Sequence, residues 1–176
     1  MSAAATAKRA ATAGEPVLAY LLLGSNLGDR TAHLAAARQQ LAATAGMVLV
    51  QSGIYETAAW GREDQPAFLN QALAMHTQLA AEVLLAACLA AEQAAGRQRL
   101  EHWGSRTLDV DILFFGTEIR ASAGLSLPHP RLAERRFALL PLVEIAPALR
   151  HPLSGLTVSE LLAQCPDPLP VRPWRS

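Results

Sequence analysis

The chain has 176 residues, 15 of them basic and 15 acidic, and so carries no formal net charge. That balance excludes a nucleic-acid binder held by a broad basic surface. Fifty-one per cent of the residues are apolar, which is enough for one compact domain with a real core, although much of the count is alanine. The two cysteines, Cys88 and Cys165, form no disulfide framework and fit a reduced, cytoplasmic compartment. No apolar run approaches the ~18 residues of a membrane-spanning helix.

Met1 to Glu15 is an Ala-, Thr- and Ser-rich stretch that buries too little to order itself, so residues 1–15 read as a disordered tail and 16–176 as a single domain. Val17 to Leu23 predicts a strand ending in the turn Gly24-Ser-Asn-Leu-Gly28, with Ser25, Asn26 or Asp29 as the cap of the following helix. Neither phosphate-loop pattern is present in that turn. The helix runs to about Thr44 on a stripe of Leu27, Leu34 and Leu41 and stops at Gly46. Met47 to Tyr55 predicts a second strand, and the polar segment Glu56 to Pro66 a long loop, which in a small domain points to function.

Phe68 to Gln78 predicts a third strand. Its alternation puts Phe68, Asn70, Ala72 and Ala74 on one face and Leu69, Gln71 and Leu73 on the other. Ala80 to Ala95 is helical, with Val83, Leu84, Ala87, Cys88 and Ala91 as the buried stripe and Gly96 behind it. Glu92 lies one turn before an arginine-bearing loop and reads as a partner for one of those arginines.

The chemistry concentrates in His102 to Gly116. Thr107 to Phe115 reads as a buried strand, yet it contains two acids. Because a strand alternates faces, Asp109 and Asp111 project together, with Leu108, Val110 and Ile112 behind them. Carboxylates held side by side require protons, arginines or a hard cation, unless the face is simply solvated. Mg²⁺ with substrate phosphates is the sharper alternative. Arg97, Arg99 and Arg106 lie just upstream in a segment opened by Gly96 and broken by Gly104. Guanidinium forks bind phosphate oxygens bidentately, so acids plus arginines point to a polyphosphate.

The run His102-x-Gly-Ser-Arg-x-x-Asp-Val-Asp-Ile-Leu resembles the signature of the 6-hydroxymethyl-7,8-dihydropterin pyrophosphokinase family. Further resemblances follow in order: Leu23-Gly-Ser-Asn-Leu-Gly28, Gln65-Pro-x-Phe-Leu-Asn70, Pro128-His-Pro-Arg131 and Arg135-x-Phe137. Together they span roughly Val17 to Pro147. The order strand, helix, strand, strand, helix, strand is that of a ferredoxin-like α+β sandwich (βαββαβ), here with extra C-terminal helices.

The resemblance implies transfer of pyrophosphate from ATP to a pterin alcohol in folate biosynthesis, by a cytoplasmic monomer acting on small molecules with no nucleic acid or membrane partner. It implies that Asp109 and Asp111 hold two Mg²⁺ ions, that Arg97, Arg99 and Arg106 join them in catalysis, and that Arg97, Arg106, Ile112, His129 and Arg135 bind ATP. The pterin pocket would comprise Asn26, Thr57, Ala58, Trp60, Phe68, Asn70, Trp103, Asp109 and Phe137. Ala58-Ala59-Trp60 stands where relatives usually carry prolines and a smaller residue. The rival reading is a non-catalytic ferredoxin-like RNA- or nucleotide-binding module, which requires exposed aromatics and a basic face on the sheet. If Arg97 acts on the transferring group, Arg97→Ala will lower the single-turnover rate more than it weakens ATP binding; equal rates with weaker binding would reverse the assignment.

Overall fold

A computed structural model describes residues 15–59, 64–96 and 106–175. In chain order the elements are β1 (Val17–Ser25), α1 (Arg30–Thr44), β2 (Met47–Gln51), β3 (Tyr55–Thr57), β4 (Phe68–Thr77), α2 (Ala81–Ala94) and β5 (Asp109–Phe115). There follow β6 (Arg120–Ser122), β7 (Leu125–Leu127), α3 (Arg136–Ile145), α4 (Val158–Gln164) and β8 (Val171–Pro173). The main sheet runs β5-β1-β4-β3-β8, with β2 also on β4, and every pairing in it is antiparallel. With β2 and β3 as two halves of one ferredoxin-like strand, the predicted α+β sandwich is what the chain forms.

The centre of the sheet is β1, flanked by β4 and β5. Its run Leu18-Ala-Tyr-Leu-Leu-Leu23 does not alternate with polar residues because both faces are covered. Ala19, Leu21 and Leu23 pack against Leu34, Ala37 and Leu41 of α1 and Leu84, Cys88 and Ala91 of α2. Tyr20 and Leu22 pack in a second core with Ala138, Leu139 and Leu142 of α3 and Val158 and Leu161 of α4. The two C-terminal helices therefore add a third layer to the usual two. The faces predicted for β4 are also found: Leu69 and Leu73 enter the first core, Ala72 and Ala74 the second.

Several local expectations are corrected. Of the three cap candidates, Asp29 caps α1, accepting from the Ala32 N–H at 3.0 Å, so Leu27 falls before the helix and is exposed. Val83 lies on the outer side of α2, half exposed. The strand expected over Met47 to Tyr55 is broken into β2 and β3. Ser52 turns in to exchange hydrogen bonds with the backbone of Ala72, while Gly53 N–H reaches the Glu144 carboxylate at 3.0 and 3.1 Å. Pro141 lies in the interior of α3, where the missing N–H leaves the carbonyl one turn earlier without its helical donor. The Pro-rich C-terminal segment contributes β8 to the sheet through Val171, Arg172 and Pro173.

The predicted stop at Gly46 is a steric requirement. Its φ of 146° is paired with a backbone approach so close that an added Cβ would lie 2.1 Å from the His76 carbonyl oxygen. Since neither atom of such a clash can rotate away, Gly46→Ala should cost roughly 3 kcal/mol or more of stability, measured by urea denaturation.

Candidate active site

The cleft lies on the α3 side of the sheet, at the end where the second core stops. Its floor comes from register: Gly24 of β1 stands opposite Asn70 of β4 on one side and Asp109 of β5 on the other, and Leu22 stands opposite Asp111. Strands are spaced by about 4.8 Å, so Asn70 and Asp109 face one another across roughly 10 Å with no side chain between them. A Cβ on Gly24 would come within 3.2 Å of Asn70 Oδ1. The cavity above this floor measures about 380 Å³ and is walled by Thr57, Ala58, Phe68 and Phe137 on the apolar side, with His129, Arg131 and Arg135 among the polar groups. That is the size of a small-molecule site.

Asp109 and Asp111 share the cleft face, as alternation requires, while Val110 and Ile112 enter the core behind them. Arg106 Nη1 is 2.8 Å from Asp109 Oδ2. Asp111 is reached by Arg135 at 3.8 Å and by His129 Nε2 at 4.0 Å, contacts too long for direct hydrogen bonds. Loss of hydration, and then the neighbouring Asp109 charge, push the Asp111 carboxyl up to about 7, against the pull of Arg135. The strand that carries both acids is at the margin of the sheet, and there the buried Glu92 carboxylate accepts the Val110 N–H at 2.9 Å. Glu92 was expected to partner an arginine of the following loop, of which Arg97 and Arg99 lie outside the described residues; its bond to Val110 ties it to the strand as well. Beside it, burial and the Glu92 charge push the Cys88 thiol up to about 12, which leaves it an inert core residue as predicted.

A bulge positions His129. In the β1–β5 pairing the register skips Leu113, and the Leu113 carbonyl accepts the His129 N–H at 2.9 Å. His129 Nδ1 accepts in turn from the Arg131 N–H at 3.2 Å. Burial, followed by the Arg135 charge, lowers its pKa to about 4, so the ring is neutral near pH 7 with its proton on Nε2, toward the cleft. Arg135 enters from the start of α3, and its guanidinium lies 5.7 Å over the Phe137 ring.

On the apolar side, Thr57 of β3 pairs with Phe68 of β4, so both walls come from one strand pair. Asn70 is 2% exposed, and its Nδ2 has no hydrogen-bond partner among the described residues. Leaving such a donor unmade costs about 1–3 kcal/mol, so Asn70 stands out as a candidate binding group of the cleft.

Two expected site residues face elsewhere. Asn26 does not line the cleft. Its Nδ2 donates to the Pro66 carbonyl at 3.1 Å and its Oδ1 accepts the Arg106 N–H at 2.7 Å, which ties the two loop stems together. The Ile112 side chain lies in the core on the opposite face, so only its backbone is available to a nucleotide. Trp60, Arg97, Arg99 and Trp103 lie outside the described residues, as does the tail through residue 14. Sequence reasoning missed Leu22, Gly24, Ala59, Gln65, Pro130 and Arg131 as lining residues. Gly24 carried a usable signal, because glycine within a strand marks close approach.

The fold is of the ferredoxin-like α+β class and is shared with a Plasmodium falciparum HPPK-DHPS crystal structure. The TM-score is 0.68 at 16% identity, over 85% of this chain and 44% of that one, so this chain spans less than half of that protein. At the level of sequence, the family model for 7,8-dihydro-6-hydroxymethylpterin-pyrophosphokinase matches residues 20–147. A 2-amino-4-hydroxy-6-hydroxymethyldihydropteridine pyrophosphokinase of Methylorubrum extorquens is 47% identical over 83% of this chain and 92% of its own length. One from Bacillus subtilis is 44% identical over 73% and 77%. The chain belongs to the 6-hydroxymethyl-7,8-dihydropterin pyrophosphokinase family.

The raised pKa of Asp111 has a sign that can be measured. An unfolded aspartate titrates near 4, so between about pH 4 and 7 the metal-free folded protein holds a proton that the unfolded chain releases. Stability from this group is full below about pH 4 and is lost as pH rises through about 7. Thermal melts in a chelator should therefore show a declining limb over that window, and Asp111→Asn should flatten it.

Proposed function

We propose that the cleft carries out its family's reaction, moving the terminal pyrophosphoryl group of ATP to the 6-hydroxymethyl oxygen of 7,8-dihydropterin and releasing AMP, a step of folate biosynthesis. The observation that carries this reading is the floor around Gly24. One buried amide with an unused donor stands on one side and two carboxylates on the other, across a gap suited to a flat bicyclic ring.

Asn70 would hydrogen-bond the amino and lactam edge of the pterin, since a carboxamide offers both a donor and an acceptor. Phe68 and Phe137 would pack on its ring, with Thr57 and Ala58 closing the wall and Trp60 and Trp103 joining from the loops. The hydroxymethyl group would then lie toward Asp109 and Asp111.

The acid pair suits magnesium. Among the described residues no group of three or more His, Cys, Asp or Glu forms a complete metal cage, and Mg²⁺ ordinarily takes one or two carboxylates and completes its shell with phosphate oxygens and water. Burial, and then repulsion from Asp109, raise the Asp111 pKa, and a divalent cation offsets both by stabilising the ionised carboxylates. Asp109 and Asp111 would hold two such ions, which when bound supply charge neutralisation on the triphosphate.

The chain's own groups position the reactants. Arg106, Arg135 and Arg131 surround the acids with positive charge, and Arg97 and Arg99 would descend from the loop to the phosphates. His129, neutral with Nε2–H toward the cleft, would donate to a phosphate oxygen rather than act as a base. No strong base is required, because phosphoryl transfer depends mainly on in-line alignment and charge stabilisation. Ile112 would contribute backbone contacts alone. Action in the cytoplasm as a monomer belongs to the same proposal; two buried free thiols are compatible with a reducing compartment.

The test is formation of AMP from ATP, with and without hydroxymethyl-dihydropterin. The pterin should be required, a chelator should stop turnover and Mg²⁺ should restore it. Asp111→Ala should lower the rate by roughly 10³-fold or more. Turnover that survives both the chelator and this substitution would remove the metal assignment.

A further inference from the structure

Three consecutive residues at the start of α3 divide their labour. Arg135 and Phe137 line the cleft, whereas Arg136 between them is tied to the C-terminal segment. Its Nε donates to the Asp167 carbonyl at 2.9 Å, and a longer contact of 3.5 Å runs from its Nη2 to the Cys165 carbonyl. The backbone is tied as well. Arg136 N–H donates to Asp167 Oδ2 at 3.1 Å, while Asp167 Oδ1 accepts the Leu169 N–H at 3.0 Å. Asp167 is 5% exposed.

Helix α3 begins without a cap of its own: Arg135 occupies the cap position and makes no capping hydrogen bond with its side chain. The first N–H groups of a helix need acceptors from somewhere, and a carboxylate there also matches the positive end of the helix dipole. Asp167 supplies that acceptor from 31 residues away. We infer that Asp167 is a positioning residue for the reaction: by holding the Arg136 peptide it fixes the angle at which Arg135 and Phe137 enter the cleft.

The segment that carries Asp167 also braces the opposite wall. Beyond Leu169 it becomes β8, whose Val171 pairs with Thr57, and Trp174 N–H donates to the Ile54 carbonyl at 2.8 Å. One stretch of ten residues or so thus backs both the Phe137 side and the Thr57 side of the cavity. It meets the lining residue Thr57 through that pairing and through a hydrogen bond from Thr57 Oγ1 to the Pro170 carbonyl at 3.4 Å, contacts that nothing in its own sequence announces.

The inference rests on the proposed function and deepens it. The experiment compares wild type with Asp167→Ala, Asp167→Asn and Thr157→Ala. The last removes the reciprocal Thr157–Glu160 cap of α4, which packs in the same core away from the cleft. KM for hydroxymethyl-dihydropterin, KM for ATP, kcat and Tm are measured for each. Asp167→Ala should raise the KM for pterin by about 10-fold with a smaller loss in kcat. Asp167→Asn, which keeps the shape and one of two acceptors, should fall between it and wild type. Thr157→Ala should lower Tm and leave both KM values unchanged. If Asp167→Ala changes KM no more than Thr157→Ala does at equal loss of Tm, Asp167 is only a structural cap and the inference is overturned. If Asp167→Ala does not fold, wild-type KM values in Asp167→Asn overturn it equally. Absence of pterin-dependent AMP formation in wild type would instead sink the functional reading.

Discussion

Two like charges held on one face of a buried strand are the constraint to which the rest of the molecule answers. Asp109 and Asp111 cannot diverge, because the pleat that points them together also anchors Val110 and Ile112 in the core. Every cation near the cleft makes sense against that repulsion. Arg106 engages Asp109 directly, Arg135 stands off Asp111, and His129 stays neutral because burial, and then the Arg135 charge, disfavour its protonated form. The sheet face that an RNA-binding relative would keep aromatic and basic carries these two acids instead.

The fold supplies rigidity behind this arrangement and leaves the front open. With helices on both faces, β1 is locked between two cores, so the Gly24 row is set by packing on either side of the sheet. Glu92 holds the acid strand from one side, the Leu113 bulge holds His129 from another, and Asn26 joins the stems of two loops. Glu92, Leu113 and Asn26 are not themselves among the lining residues of the cleft. A transfer reaction that relies on alignment needs such supports more than it needs a reactive side chain.

Much of this was legible in the sequence. The shared face of the acids, the two faces of β4, the stop at Gly46 and the strand-helix order follow from period and from glycine alone. What escaped was whatever depended on distant segments meeting. Asn26 looked like a ligand group in a glycine-rich turn because nothing local says that its amide is taken by Pro66 and Arg106. Ile112 was placed by resemblance at the nucleotide, whereas alternation already put its side chain in the core. The break between β2 and β3 depends on Glu144, 91 residues away, and β8 on a partner strand more than a hundred residues back. Val83 was misplaced because an alanine-rich helix offers apolar residues on every side, so its stripe is poorly defined.

The bond between Glu92 and Val110 also couples a helix to the acids. Glu92 belongs to the last turns of α2, whose Leu84, Cys88 and Ala91 pack in the first core. A slide of that helix along its axis would drag the marginal strand with it, and Asp109 and Asp111, on either side of Val110, would travel as one body.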